Sequence, residues 1–122
     1  MIYAIFLRLA PEATTHLGRP GVMDAVGEAA RGGQIPAVEA LMALGQPEPF
    51  ARLFVQRLGY LLRLREAGIL RGAGPFEYLK EGMYLCNVMD EREARRILEE
   101  DPFYRAGHIE PDFTVRRWLA AI

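Results

Sequence analysis

The stretch ILRGAGPFEYLKEGMYLCNVMDEREARRIL, Ile69 to Leu98, decides the fold. Ile69 to Phe76 reads as a strand carrying Gly72 and Gly74, whose missing side chains leave room for a neighbouring chain or a ligand, and Pro75 ends its ladder. Gly82 to Met89 reads as a second, more strongly apolar strand. Asp90 with Glu93 three residues later forms a capping box for a helix whose inner positions are Ala94, Ile97 and Leu98. Asp101-Pro102 then breaks that helix, because the residue before proline is pushed out of the helical region.

Upstream, Phe50, Leu53, Phe54, Leu58, Leu61 and Leu64 fall at helical spacing between Phe50 and Ala67, and Gly68 is a stop signal. The first strand is Ile2 to Leu9, rich in β-branched and aromatic residues and stopped by Pro11. Residues 10–47 form a Gly- and Pro-punctuated insertion with two short helical pieces, one on Val22, Val26 and Ala29-Ala30, the other on Val38, Leu41 and Met42, with Pro36 in its first turn. Two short helices hold too little core to fold alone, so the insertion belongs to the single domain. A last strand runs from Asp112 to Trp118. The order is that of a ferredoxin-like βαββαβ domain, an α+β fold with a four-stranded antiparallel sheet. Two helices cover one face of such a sheet, yet the first and third strands are apolar on both sides. Either the inserted helices or a second subunit must cover the other face, and a symmetric homodimer stacking two sheets is the economical expectation.

The chain has 122 residues, enough for one core, and 15 basic against 16 acidic residues leave a net charge of -1. No basic stripe exists for phosphate binding, and the segment Lys80 to Val88 lacks the spaced aromatics that stack on bases, so a nucleic-acid partner is excluded. The absence of any serine removes Ser nucleophiles and Lys-Ser phosphate loops. One cysteine, Cys86, and two histidines, His16 and His108, are too few for a structural metal site, and a lone buried thiol fits a cytoplasmic protein. The apolar run Ile2 to Ala10 is too short for a membrane span and lacks the basic flank of a signal peptide.

Arg57 is the most informative residue, because it projects from the centre of the apolar helix face and needs an acidic partner or a bound anion there. Asp101 is its natural partner. Glu99, Glu100 and Asp101 place negative charge at a helix C-terminus, where the macrodipole disfavours it; the alternative role for Asp101 is to cap the turn into Pro102-Phe103. His108, just before the last strand, is a candidate general acid or base, with a hydrogen-bonding surface residue as the alternative. Tyr60, Tyr78 and Tyr84 suit contact with an aromatic substrate or with the core.

Several of these residues together resemble the YCII-related proteins, small dimeric ferredoxin-like α+β barrels near the muconolactone-isomerase type. The signatures are Tyr60-Leu61 with Gly68, Ala73-Gly74-Pro75, Glu93-Ala94, Asp101-Pro102-Phe103 with Ala106-Gly107, and Trp118. The resemblance implies a homodimer and, in some relatives, elimination of chloride from or isomerisation of small ring compounds with no metal or organic cofactor. It implies an active pair made of a first-helix histidine and the Asp-Pro aspartate. Asp101 matches the aspartate, whereas Arg57 stands at the histidine position. Arg stays protonated and cannot shuttle a proton at neutral pH, but it can hold a carboxylate or phenolate. The expectation is a pocket for a small organic anion, with Arg57 and Tyr60 binding it and Asp101 and His108 moving a proton. The alternative is a non-catalytic dimer in which Arg57 and Asp101 form a buried ion pair.

Overall fold

The computed structural model describes residues 1–121. The chain runs β1 (Ile2–Arg8), α1 (Pro11–Leu17), α2 (Val22–Arg31), α3 (Val38–Ala43), α4 (Glu48–Glu66), β2 (Leu70–Pro75), β3 (Glu81–Asn87), α5 (Glu91–Glu99), α6 (Pro102–Arg105) and β4 (Thr114–Arg117). The sheet order is β2-β3-β1-β4 with every neighbouring pair antiparallel. This is the ferredoxin-like arrangement.

Each boundary has a local cause. α4 ends in a Schellman motif: Gly68 at φ 76° turns the chain back, its N–H donates to the Arg65 carbonyl, and the Ile69 N–H donates to that of Leu64. At the start of α5 the Asp90 carboxylate accepts from the Glu93 N–H, while the Glu93 carboxylate accepts from the Met89 N–H rather than from that of Asp90. Two elements escape the periodicity argument. α1 is a third helix between β1 and α4, opened by Pro11 at its first turn and tied to the β2–β3 hairpin by the Thr14 hydroxyl, which donates to the Leu79 carbonyl. α6 starts at Pro102 directly after the break, with Asp101 as its N-cap. Pro36 lies outside α3, whose cap is Ala37.

Alternation on the strands sorts the two faces. Tyr3, Ile5 and Leu7 of β1 and Tyr84 and Cys86 of β3 are buried under the helices, and Phe50, Phe54, Leu98 and Phe103 complete that core. On the other side Phe6 opposes Met83, and Ala4 opposes Leu85. Phe6 is 39% exposed, since no helix crosses that face. The helices between β1 and α4 therefore do not cover it: α3 packs on α4, and α2 shares a cavity wall with α4 and β2. None of the helices is long and apolar enough to cross a membrane.

Candidate functional site

Residue 57 sits on the inner face of α4, flanked by Phe54 one turn earlier and facing Phe103 of α6, so its guanidinium emerges inside the core. Only 8% of Arg57 is exposed, and Asp101 is fully buried. Arg57 Nε lies 3.4 Å from Asp101 Oδ2, at the limit of a hydrogen bond. Tyr84 closes the gap: its hydroxyl accepts from Arg57 Nη2 and donates to Asp101 Oδ2. Asp101 Oδ1 in turn accepts from the Phe103 N–H at 2.8 Å as the α6 N-cap. The carboxylate thus caps a helix with one oxygen and holds the Tyr84-Arg57 pair with the other. The Phe103 ring underlies the guanidinium, 4.5 Å from Cζ to centroid.

The electrostatics follow from this burial. Burial alone would pull the Arg57 pKa down, but the oxygens of Tyr84 and Asp101 outweigh it and hold the guanidinium above its ordinary value. Burial first, and Asp101 next to it, lift the Tyr84 phenol above the usual range against the opposing pull of Arg57, so it stays protonated and remains a donor.

Arg57 also opens onto space. A cavity of about 340 Å³ lies between α2, α4 and β2, walled by Val26, Leu58, Leu61, Leu70 and Pro75, with Arg57 in its lining. Among the described residues Nη1 of Arg57 has no hydrogen-bond partner. Neither Asp101 nor Tyr84 lines this cavity. Tyr84 shares only a gap of about 10 Å³ with Arg57, Gly74 and Gly82.

The YCII-related domain family matches residues 35–119. The chain belongs to this family. No curated protein matches it. Among solved structures, 5-chloro-2-hydroxyhydroquinone dehydrochlorinase from Burkholderia phenoliruptrix AC1100, determined in complex with 2,5-dihydroxybenzoquinone, is similar with a TM-score of 0.53 and 16% identity, over 97% of this chain and 93% of that one. At that identity the likeness is one of fold.

Within this YCII-related domain, the residues singled out from the sequence do not all meet. Arg57 and Asp101 pair. Tyr60 points elsewhere: its hydroxyl donates to the Ile97 carbonyl at 2.6 Å, and it lines a separate depression with Arg63, Glu100 and Arg105. Burial, with help from Asp101 and Glu100, raises its pKa. His108 stacks with Phe50 and Phe103 at 5.2 and 5.5 Å between ring centroids and is not in the cavity lining. Burial lowers its pKa, partly countered by Glu12, with His16 adding to the lowering. His16 packs on the same Phe50 ring at 4.4 Å. Cys86, pushed up to about 12 by burial, stays a thiol at neutral pH and packs as a small apolar group. Tyr84, which the sequence suits to an aromatic substrate or to the core, instead joins Arg57 to Asp101 through its hydroxyl. Its signal was in the sequence, since a tyrosine on the inward alternation of a buried strand needs a partner for its hydroxyl.

Proposed function

We propose that this YCII-related protein binds a small organic anion, a carboxylate or phenolate on a compact apolar body, with Arg57 as the anchor. The observation that carries this reading is the two-sided setting of Arg57: Tyr84 and Asp101 fix it from behind while it lines a cavity of about 340 Å³. That volume falls at the small end of ligand pockets and suits one or two rings. A guanidinium already oriented by buried partners loses little entropy on taking up an anion.

The dehydrochlorinase with the same fold supports a cofactor-independent lyase or isomerase as the catalytic form of this reading, with Asp101 taking a proton through Tyr84. The geometry favours binding over that chemistry, because Asp101 and Tyr84 stand behind Arg57 and not in the cavity lining, and because His108 belongs to the aromatic cluster with Phe50.

The test is a thermal melt with and without a panel of aromatic carboxylates. The wild-type chain is expected to gain melting temperature with some of them, and Arg57→Met is expected to lose every such gain. The single variant also leaves Asp101 without its cation. The double variant Arg57→Met/Asp101→Asn should recover much of the stability but none of the ligand response, which separates an anchor from a purely structural bridge. Ligand-independent melting of the wild type throughout would reject the binding reading.

We also infer that the open sheet face meets a second copy of the chain. Ala4, Phe6, Met83 and Leu85 form an apolar patch there, and a symmetric interface would bury it on both subunits at once. Light scattering over a dilution series should give a dimer mass, and Phe6→Arg should give a folded monomer. A monomeric wild type at high concentration would remove the inference.

A further inference from the structure

The cavity beside Arg57 is unusual in its charge. Three arginines line it, Arg57, Arg65 and Arg71, and no acidic side chain does, although the chain as a whole carries a net charge of -1. Some exposed arginines pair with carboxylates, Arg8 with Asp112, Arg52 with Glu48 and Arg95 with Glu91, and others, Arg31, Arg63, Arg92 and Arg96 among them, have no ion pair among the described residues. Among the described residues Arg65 and Arg71 have no such partner. Arg65 makes only a 3.4 Å contact with the Ala30 carbonyl.

The positive charges also sit at two places. Arg57 is buried, whereas Arg65 and Arg71 are exposed at the cavity rim. Arg57 and Arg65 are two turns apart on α4, about 12 Å along its axis. The wall also holds Leu58 and Leu61 on α4, Leu70 on β2, and Val26 from the inserted α2. Asp101 balances the charge of Arg57 from behind, whereas the two rim charges, Arg65 and Arg71, have no carboxylate beside them in the cavity lining.

Building on the reading of Arg57 as an anion anchor, we propose that the cavity takes an elongated dianion: one anionic group on Arg57, an apolar body along Leu58, Leu61 and Leu70, and a second anionic group between Arg65 and Arg71. The inserted α2 then serves recognition, because it supplies the wall opposite α4. A ligand with one charge would leave the rim arginines unpaired.

Calorimetric titration of the full chain with biphenyl-4-carboxylate and biphenyl-4,4′-dicarboxylate tests this, since the two probes differ in one carboxylate. The dianion should bind about tenfold more tightly, as two partly exposed ion pairs allow. The double variant Arg65→Gln/Arg71→Gln should bring the dianion close to the level of the monoanion, and it should lower the monoanion far less than the dianion, because the single carboxylate sits at Arg57. Ala73→Phe, which puts a ring into the cavity from β2, should weaken both. Equal affinities in the wild type, no binding of the dianion, or an advantage that survives the double variant would overturn the proposal while leaving Arg57 as anchor of a monoanion. Retention of the monoanion by Arg57→Met would instead overturn the anchor itself, and the dianion with it.

Discussion

Replacing Asp101 with alanine is expected to lower the unfolding free energy by about 3–5 kcal/mol, the cost of leaving a buried charge without its counter-charge. Two losses combine at this position. The Phe103 N–H loses the oxygen that caps α6, worth about 1 kcal/mol in comparable helices. Arg57, held 8% exposed on a phenylalanine face, is left with Tyr84 as its only hydrogen-bond partner among the described residues. Asp101→Asn keeps an oxygen toward Phe103 and should fall between wild type and alanine. Urea denaturation of the three chains measures the differences directly. An alanine variant within 1 kcal/mol of wild type would mean that water reaches Arg57 and that the triad of Arg57, Tyr84 and Asp101 is not closed as described.

Gly82→Val is expected to cost about 3 kcal/mol or more, at the upper end of what overpacking does in a close-packed core. A Cβ at Gly82 would lie 2.8 Å from the Gly74 carbonyl oxygen and 3.2 Å from the Pro75 Cα. Both are backbone atoms of the paired strand, which cannot swing aside as a side chain can. Relief therefore requires β2 to move off β3 at the end where Gly74 and Pro75 border Arg57. The same variant should weaken ligand binding, because Gly74 and Pro75 line the cavity beside Arg57. Gly72→Ala is the control: nothing lies within 4 Å of the atom it adds, so its stability should stay close to wild type.

The central part of the fold was legible because its signals are local and strong. Six apolar positions at helical spacing and a glycine stop set α4, and Asp90 with Glu93 set the start of α5. The order of these elements among four strands, of which the first and third are apolar on both sides, leaves little choice of topology. α1 was not legible, since PEATTHL offers only Ala13 and Leu17 as buried positions and two adjacent β-branched threonines, too little for a periodicity argument. α6 is a single turn, and Asp101-Pro102 signals the end of one helix and the start of the next equally well. At the site, Arg57 was visible because charge on an apolar face contradicts its surroundings. Tyr60 and His108 carry no such contradiction, and their true partners, the Ile97 carbonyl and the Phe50 ring, come from elements far away in the chain. Arg65 and Arg71 look like ordinary surface residues in the sequence; only the position of α2 makes them the rim of a cavity.

The placement of β1 has a consequence for how the molecule is made. It is an inner strand, yet both of its partners are translated long after it: residues 81–87 on one side and 114–117 on the other. As the chain leaves the ribosome, this apolar strand emerges before its partners and waits unpaired while α1, α2, α3 and α4 are synthesised. Those helices can form early, because their contacts are local, but β1 has no strand to pair with until residues 81–87 are out. The slow step in folding should therefore be the closing of that long loop onto β1, and ribosome-bound chains stalled before β3 should remain protease-sensitive in β1 even when α4 is already protected.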